Sequence, residues 1–198
     1  MNYTTGKKIV LGAFAANLAI MLLISAASLL PMNIISAAFT VLNTIGAILP
    51  AAIALGFAMM YSSSLDKFDL ILAGAAAINF VASFLYRFVN YASDSYLIVS
   101  VLLDCLCAIL PLAWAIKLRH KTPALSIAMV IAGVWTALIS VFYALPNHNN
   151  DVIADMSNIR YTIMNLVDYA VSGLYVLVAF LIKKPEAEDD DTIKEIEN

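Results

Sequence analysis

The sequence predicts an all-α integral membrane protein, a six-helix transmembrane bundle with both termini in the cytoplasm. Three observations predict it. Of 198 residues, 63% are hydrophobic and 13% charged, against about 45–50% and about 25% in soluble domains. The apolar residues gather into windows of the roughly 20 residues a helix needs to cross a bilayer. Lys and Arg fall almost wholly on one side of those windows, which sets the orientation. Seven glycines and six prolines exclude a collagen-like or low-complexity chain, and the hydrophobicity excludes disorder.

The six windows are 9–30, 34–61, 68–91, 96–117, 123–145 and 159–182. The second is long enough to tilt or to end early near Met59. Breakers separate them: Pro31-Met32-Asn33, Ser62-Ser63-Ser64, Ser93-Asp94-Ser95, His120-Lys121-Thr122 and the polar stretch 146–158. Links this short make successive spans antiparallel. With the N-terminus cytoplasmic, Lys7, Lys8, Lys67, Lys117, Arg119, Lys121, Lys183, Lys184 and Lys194 lie inside and only Arg87 and Arg160 outside. Both termini are therefore inside, and the expected location is a bacterial cytoplasmic (inner) membrane. Lys7-Lys8, an apolar run and Ser25-Ala26-Ala27 resemble a signal peptide. Because the hydrophobicity continues to Leu30, an uncleaved first span is expected.

Residues 1–184 thus form one transmembrane domain, and 185–198 an acidic cytoplasmic tail. The tail sets seven acids against Lys194, so the rest of the chain is net positive although the whole carries −3. Its self-repulsion after Pro185 predicts disorder.

The even spans echo one another. Ala47-Ile48-Leu49-Pro50 recurs as Ala108-Ile109-Leu110-Pro111, each preceded by a polar residue, Asn43 or Asp104, seven positions before the proline. The sixth span has Leu166-Val167-Asp168 at a comparable depth. The pattern is compatible with three helical hairpins.

The candidate site is built from residues that should not lie in hydrocarbon. Asp104 and Asp168 are near the middle of their spans, where a charged side chain costs about 2.5–3.5 kcal/mol on insertion scales. Asn17, Asn43, Asn79 and Asn165 stand at similar depth. In the sixth span Tyr161, Asn165, Asp168, Ser172 and Tyr175 follow steps of 4, 3, 4 and 3, one polar stripe. Ser100, Asp104, Cys107 and Pro111 do so in the fourth. Pro50 and Pro111 cannot donate to the carbonyls of Gly46 and Cys107, which leaves backbone acceptors beside the polar residues. A substrate- or ion-binding set follows: Asp104, Asp168, Asn165, Asn43, Asn17, Asn79, Ser172, Tyr175 and Ser100.

Other chemistry finds no support. HExxH, GxSxG and P-loop motifs are absent, and His120 and His148 fall in loops. No glycine-rich turn flanks either aspartate to mark an aspartyl dyad. No catalytic residue, metal site or cofactor is expected, and the chain is not read as an enzyme. Cys105 and Cys107, two apart on a helix, do not face each other and read as small apolar residues. No basic, aromatic-interleaved patch points to nucleic acid. Ala124, Ala128, Ala132, Thr136 and Ser140 in the fifth span, and Gly12, Ala15, Ala16 and Ala19 in the first, form small-residue faces for close helix contact. The cluster Lys117, Arg119, His120, Lys121 reads as topology signal and anionic-lipid contact. In span number, length and placement of both ends, the chain is similar in outline to the substrate-binding subunits of energy-coupling vitamin importers, a likeness of size and topology.

The expected partners are the bilayer, a small-molecule or cation ligand, and a membrane protein docked on the small-residue faces. The function that follows is a small-solute or ion transporter, or its membrane solute-binding subunit. The alternative is a non-transporting accessory, sensor or assembly subunit acting through helix–helix contacts.

Overall fold

The computed structural model describes residues 3–27, 32–62, 64, 66–89, 95–144 and 151–182. Parts of the predicted connections (31, 63, 93–94 and 146–150) and the acidic tail (185–198) lie outside them. The described residues form α1 (Tyr3–Ala27), α2 (Met32–Gly46), α3 (Leu49–Tyr61), α4 (Lys67–Leu85), a 3-10 turn (Tyr86–Phe88), α5 (Tyr96–Leu118), α6 (Pro123–Ala144) and α7 (Asp151–Leu181), and no strand. Six stretches are long and apolar enough to cross a membrane: Tyr3–Ala26, Phe39–Tyr61, Lys67–Phe88, Tyr96–Leu118, Pro123–Phe142 and Tyr161–Leu181. They fit an integral multi-pass membrane protein.

Two boundaries differ from expectation. The second span is two helices, because Pro50 enters the first turn of α3 and cannot extend α2. Ile48 N–H donates instead to Ile45 C=O at 3.0 Å, a tight turn of 3-10 type. The last helix begins at Asp151, eight residues before the sixth window, since 151–158 is polar and hydropathy does not register it.

Local chemistry accounts for the other ends. Asp66 caps α4 by accepting Phe68 N–H at 2.9 Å. Pro123 opens α6 at the position where a missing N–H costs nothing. Ser126 Oγ, one turn in, donates to Ala115 C=O at 2.8 Å and ties α6 back onto α5.

α5 is the most enclosed helix, packed against α4 on one side and most extensively against α6 on the other. α1 packs on α3 and α7. The α1–α3 crossing depends on two glycines: a Cβ on Gly6 would lie 2.6 Å from the Gly56 oxygen, and one on Gly56 2.9 Å from the Gly6 oxygen. Only hydrogen fits. Trp114, fully buried, joins the helices at the core, with ring centroids 5.6 Å from Phe14, 5.3 Å from Phe57 and 6.2 Å from Tyr175.

One end of the bundle collects the basic residues. Lys7 Nζ donates to the carbonyls of Phe180 (2.7 Å) and Ile182 (2.5 Å), at the negative end of α7. The start of α1 and the end of α7 therefore share this end. Here also Lys117 is paired with the completely buried Asp69, which accepts Ser64 Oγ–H at 2.7 Å. The Lys117 ammonium lies 4.6 Å from the Tyr61 ring centroid. This pair, absent from the sequence reading, joins the 61–64 turn, α4 and α5.

Candidate functional site

The structure separates the two mid-span aspartates. Asp104, 4% exposed, is held on both oxygens. One accepts the Tyr86 hydroxyl, and the other accepts Ser140 N–H at 2.9 Å. Tyr86 Oη also lies 2.8 Å from the Ser100 carbonyl and 3.3 Å from Ser140 Oγ. The knot closes α5 against the end of α4 and against α6. Ser100 is buried beside it, and its own hydroxyl has no partner among the described residues.

Asp168 is different. It is half-buried on α7, and one oxygen accepts Trp135 Nε1–H from α6 at 2.6 Å. The other oxygen has no partner among the described residues. Trp135 and Ser140 are five positions apart, about 140° around α6 at 100° per residue, so the two aspartates meet different faces of one helix.

One turn along the stripe from Asp168, Ser172 is buried and its hydroxyl reaches Met21 Sδ at 3.1 Å. Asn17 Nδ2 reaches the same sulfur from α1 at 3.7 Å. Ser25 and Tyr169 are hydrogen-bonded further along this α1–α7 seam. The seam thus holds Ser172 and Asn17, while Asp168, one turn from Ser172 on α7, takes its partner Trp135 from α6.

The remaining predicted residues lie elsewhere. Asn79 donates to the Cys107 carbonyl at 3.4 Å, the acceptor that Pro111 leaves free. Tyr175 stacks on Phe14 at 5.1 Å in the aromatic core. Asn43 on α2 and Asn165 on α7 are exposed. The predicted single layer is therefore several separate seams, and Asp104 and Asp168 share no partner.

The partners Tyr86, Trp135 and Ser140 were not among the sequence-predicted site residues. Trp135 carried the only usable signal, an indole N–H in a span with no strongly polar side chain. Two cavities formed by described residues have neither aspartate in their lining. One, about 380 Å³, opens at the basic end; the other, about 400 Å³, is an apolar groove between α6 and α7. Among the described residues no cluster of three or more His, Cys, Asp or Glu could hold a metal ion.

Fold and site together fit a helical, multi-pass membrane protein in which one carboxylate midway along a candidate span is not fully engaged. No family model matches the chain, and no curated protein or solved structure is similar to it. The chemistry of the site rests on its own geometry.

Proposed function

We propose that the protein is a small-solute or ion transporter, or the membrane solute-binding subunit of one, and that Asp168 is its ligand-facing group. The observation that carries this reading is the half-buried Asp168, with Trp135 on one oxygen and the other open. A carboxylate at this depth is costly unless it faces protein, water or a ligand. The free oxygen is an acceptor for a cation or for an amino or hydroxyl group on a solute. Ser172 and Asn17 add donors along the α1–α7 seam, while Asp104 positions helices.

The positive-inside split supports an arrangement with both ends and the acidic tail in the cytoplasm. Reporter fusions should then read outside at Asn33, Ser93 and Asn149, and inside at Ser63 and His120. The central test is a thermal-shift and uptake screen of alkali cations and amino- or hydroxyl-bearing solutes. A stabilising ligand is expected for the wild type and lost in Asp168→Asn. A ligand bound equally well by Asp168→Asn sinks the assignment.

A second reading, an accessory or assembly subunit, is favoured by one observation. Gly12, Ala15 and Ala19 on α1 are exposed, and a Cβ on Gly12 would meet nothing within 4 Å. A lipid-facing surface of small residues lets another helix approach closely. Gly12→Leu would block such a partner without disturbing the bundle. Co-purification of a membrane partner with the wild type and its loss with Gly12→Leu would favour this reading.

A further inference from the structure

The cavity of about 380 Å³ at the basic end lies at a different depth from Asp168 and uses none of its neighbours. Its size is that of a small-ligand pocket, and its lining runs from polar to apolar. Lys121 and His120 at the mouth are exposed, Phe68 and Leu125 are half-buried, and Val178 and Trp114 are buried. Arg119 Nε is hydrogen-bonded to His120 Nε2 at 2.7 Å and brings a further cation to the mouth. Lys117 on the wall is already paired with Asp69, and Asp66, also on the wall, uses one carboxylate oxygen to cap α4.

Trp114 supplies the second, independent observation. It is completely buried, and its Nε1–H has no hydrogen-bond partner among the described residues. Buried donors are ordinarily satisfied, and one left without an acceptor in a cavity wall calls for a group that supplies it. Water alone would satisfy the indole, but it would leave the half-buried Phe68 and Leu125 wetted.

We propose that this cavity binds an amphiphile with an anionic phosphate head, an apolar body and an acceptor oxygen between them. The head meets Lys121 and His120, the body lies on Phe68 and Leu125, and the intermediate oxygen accepts from Trp114 Nε1, over which the covering side chains must give way. A membrane phospholipid and a soluble alkyl phosphate both have this chemistry.

The test uses the purified full-length protein in neutral detergent, titrated with dioctanoyl phosphatidylglycerol, octyl phosphate and, as the zwitterionic comparison of zero net charge, dioctanoyl phosphatidylcholine. A saturable rise in melting temperature is expected with an anionic probe and a weaker one with phosphatidylcholine. Response to phosphatidylglycerol alone assigns the site to a lipid, and response to octyl phosphate extends it to soluble ligands. Lys121→Gln should weaken binding about fivefold, the effect of one surface cation near an anionic head. Trp114→Phe should weaken it about three- to tenfold through the lost donor. If Trp114→Phe does not fold, Lys121→Gln, on an exposed residue, decides the matter. No saturable response to either anionic probe, or an unchanged Kd in Lys121→Gln, overturns the proposal.

Discussion

Asp104 and Asp168 occupy nearly the same place in their spans, the ninth and tenth residues of the predicted windows, yet they have different surroundings. Both oxygens of Asp104 are engaged by groups 18 and 36 residues away. Removing the carboxylate costs the hydrogen bonds it accepts from the Tyr86 hydroxyl and Ser140 N–H, about 0.5–1.5 kcal/mol each because both donors keep a backbone carbonyl in reach, and it leaves a void in the knot. Asp104→Ala should therefore lower the detergent melting temperature strongly. Asp104→Asn, whose amide oxygen can still accept from Ser140, should lower it less. A cycle with Tyr86→Phe should show coupling of about 0.5–3 kcal/mol, and additive losses would mean the two side chains do not act together. That both aspartates mattered was legible from their depth in apolar windows. Which one is a structural clasp was not, because the answer lies in tertiary partners that no spacing along one helix reveals.

At the scale of elements, the same four residues behave in two ways. Ala-Ile-Leu-Pro ends a helix break at Pro50 but lies within an unbroken helix at Pro111. The difference is context: α5 is enclosed by α4 and α6, and Asn79 of α4 reaches the carbonyl that Pro111 frees. Asn79→Ala should cost about 0.6 kcal/mol, the mean for a polar contact between membrane helices. In a Pro111→Ala background the backbone N–H returns to Cys107, and the same substitution should cost nothing measurable in reversible unfolding. Equal costs in both backgrounds would detach Asn79 from the proline. Close helix contact was also predicted, on the fifth span from Ala124 to Ser140 and on the first at Gly12 and its neighbours; Ala132 and Ser140 are buried, but on α1 the close crossing is at Gly6, against Gly56. Small residues along one span cannot tell an inner face from an outer one. Gly6→Ala should destabilise the bundle by about 1–3 kcal/mol through overpacking, and Gly12→Ala should stay within about 0.5 kcal/mol. Thermal denaturation of the two variants checks that order.

For the whole molecule, hydropathy and the distribution of Lys and Arg were enough to foresee the span count and the gathering of cations at one end. The ion pair inside that end was missed because Lys117 was read as topology signal and anionic-lipid contact. Asp69, one residue inside its predicted window, was passed over. A signal existed: adjacent antiparallel spans bring the start of one beside the end of the next, which places Asp69 near Lys117. The two partners are not equally enclosed. Asp69 is completely buried, whereas the Lys117 side chain is 23% exposed and lies over the Tyr61 ring. Lys117→Met would strand a carboxylate with Ser64 as its remaining donor, and breaking a buried pair this way costs about 3–5 kcal/mol. Asp69→Asn leaves a cation that can extend towards interfacial water while keeping its aromatic contact, so its loss should be smaller. The double variant Asp69→Asn with Lys117→Met buries no uncompensated charge and should recover most of the stability lost in Lys117→Met. Melting temperatures in the order wild type, Asp69→Asn, double variant, Lys117→Met, or with the middle two exchanged, are expected. A double variant no more stable than Lys117→Met would show that Lys117 acts through its contact with Tyr61 rather than by neutralising Asp69.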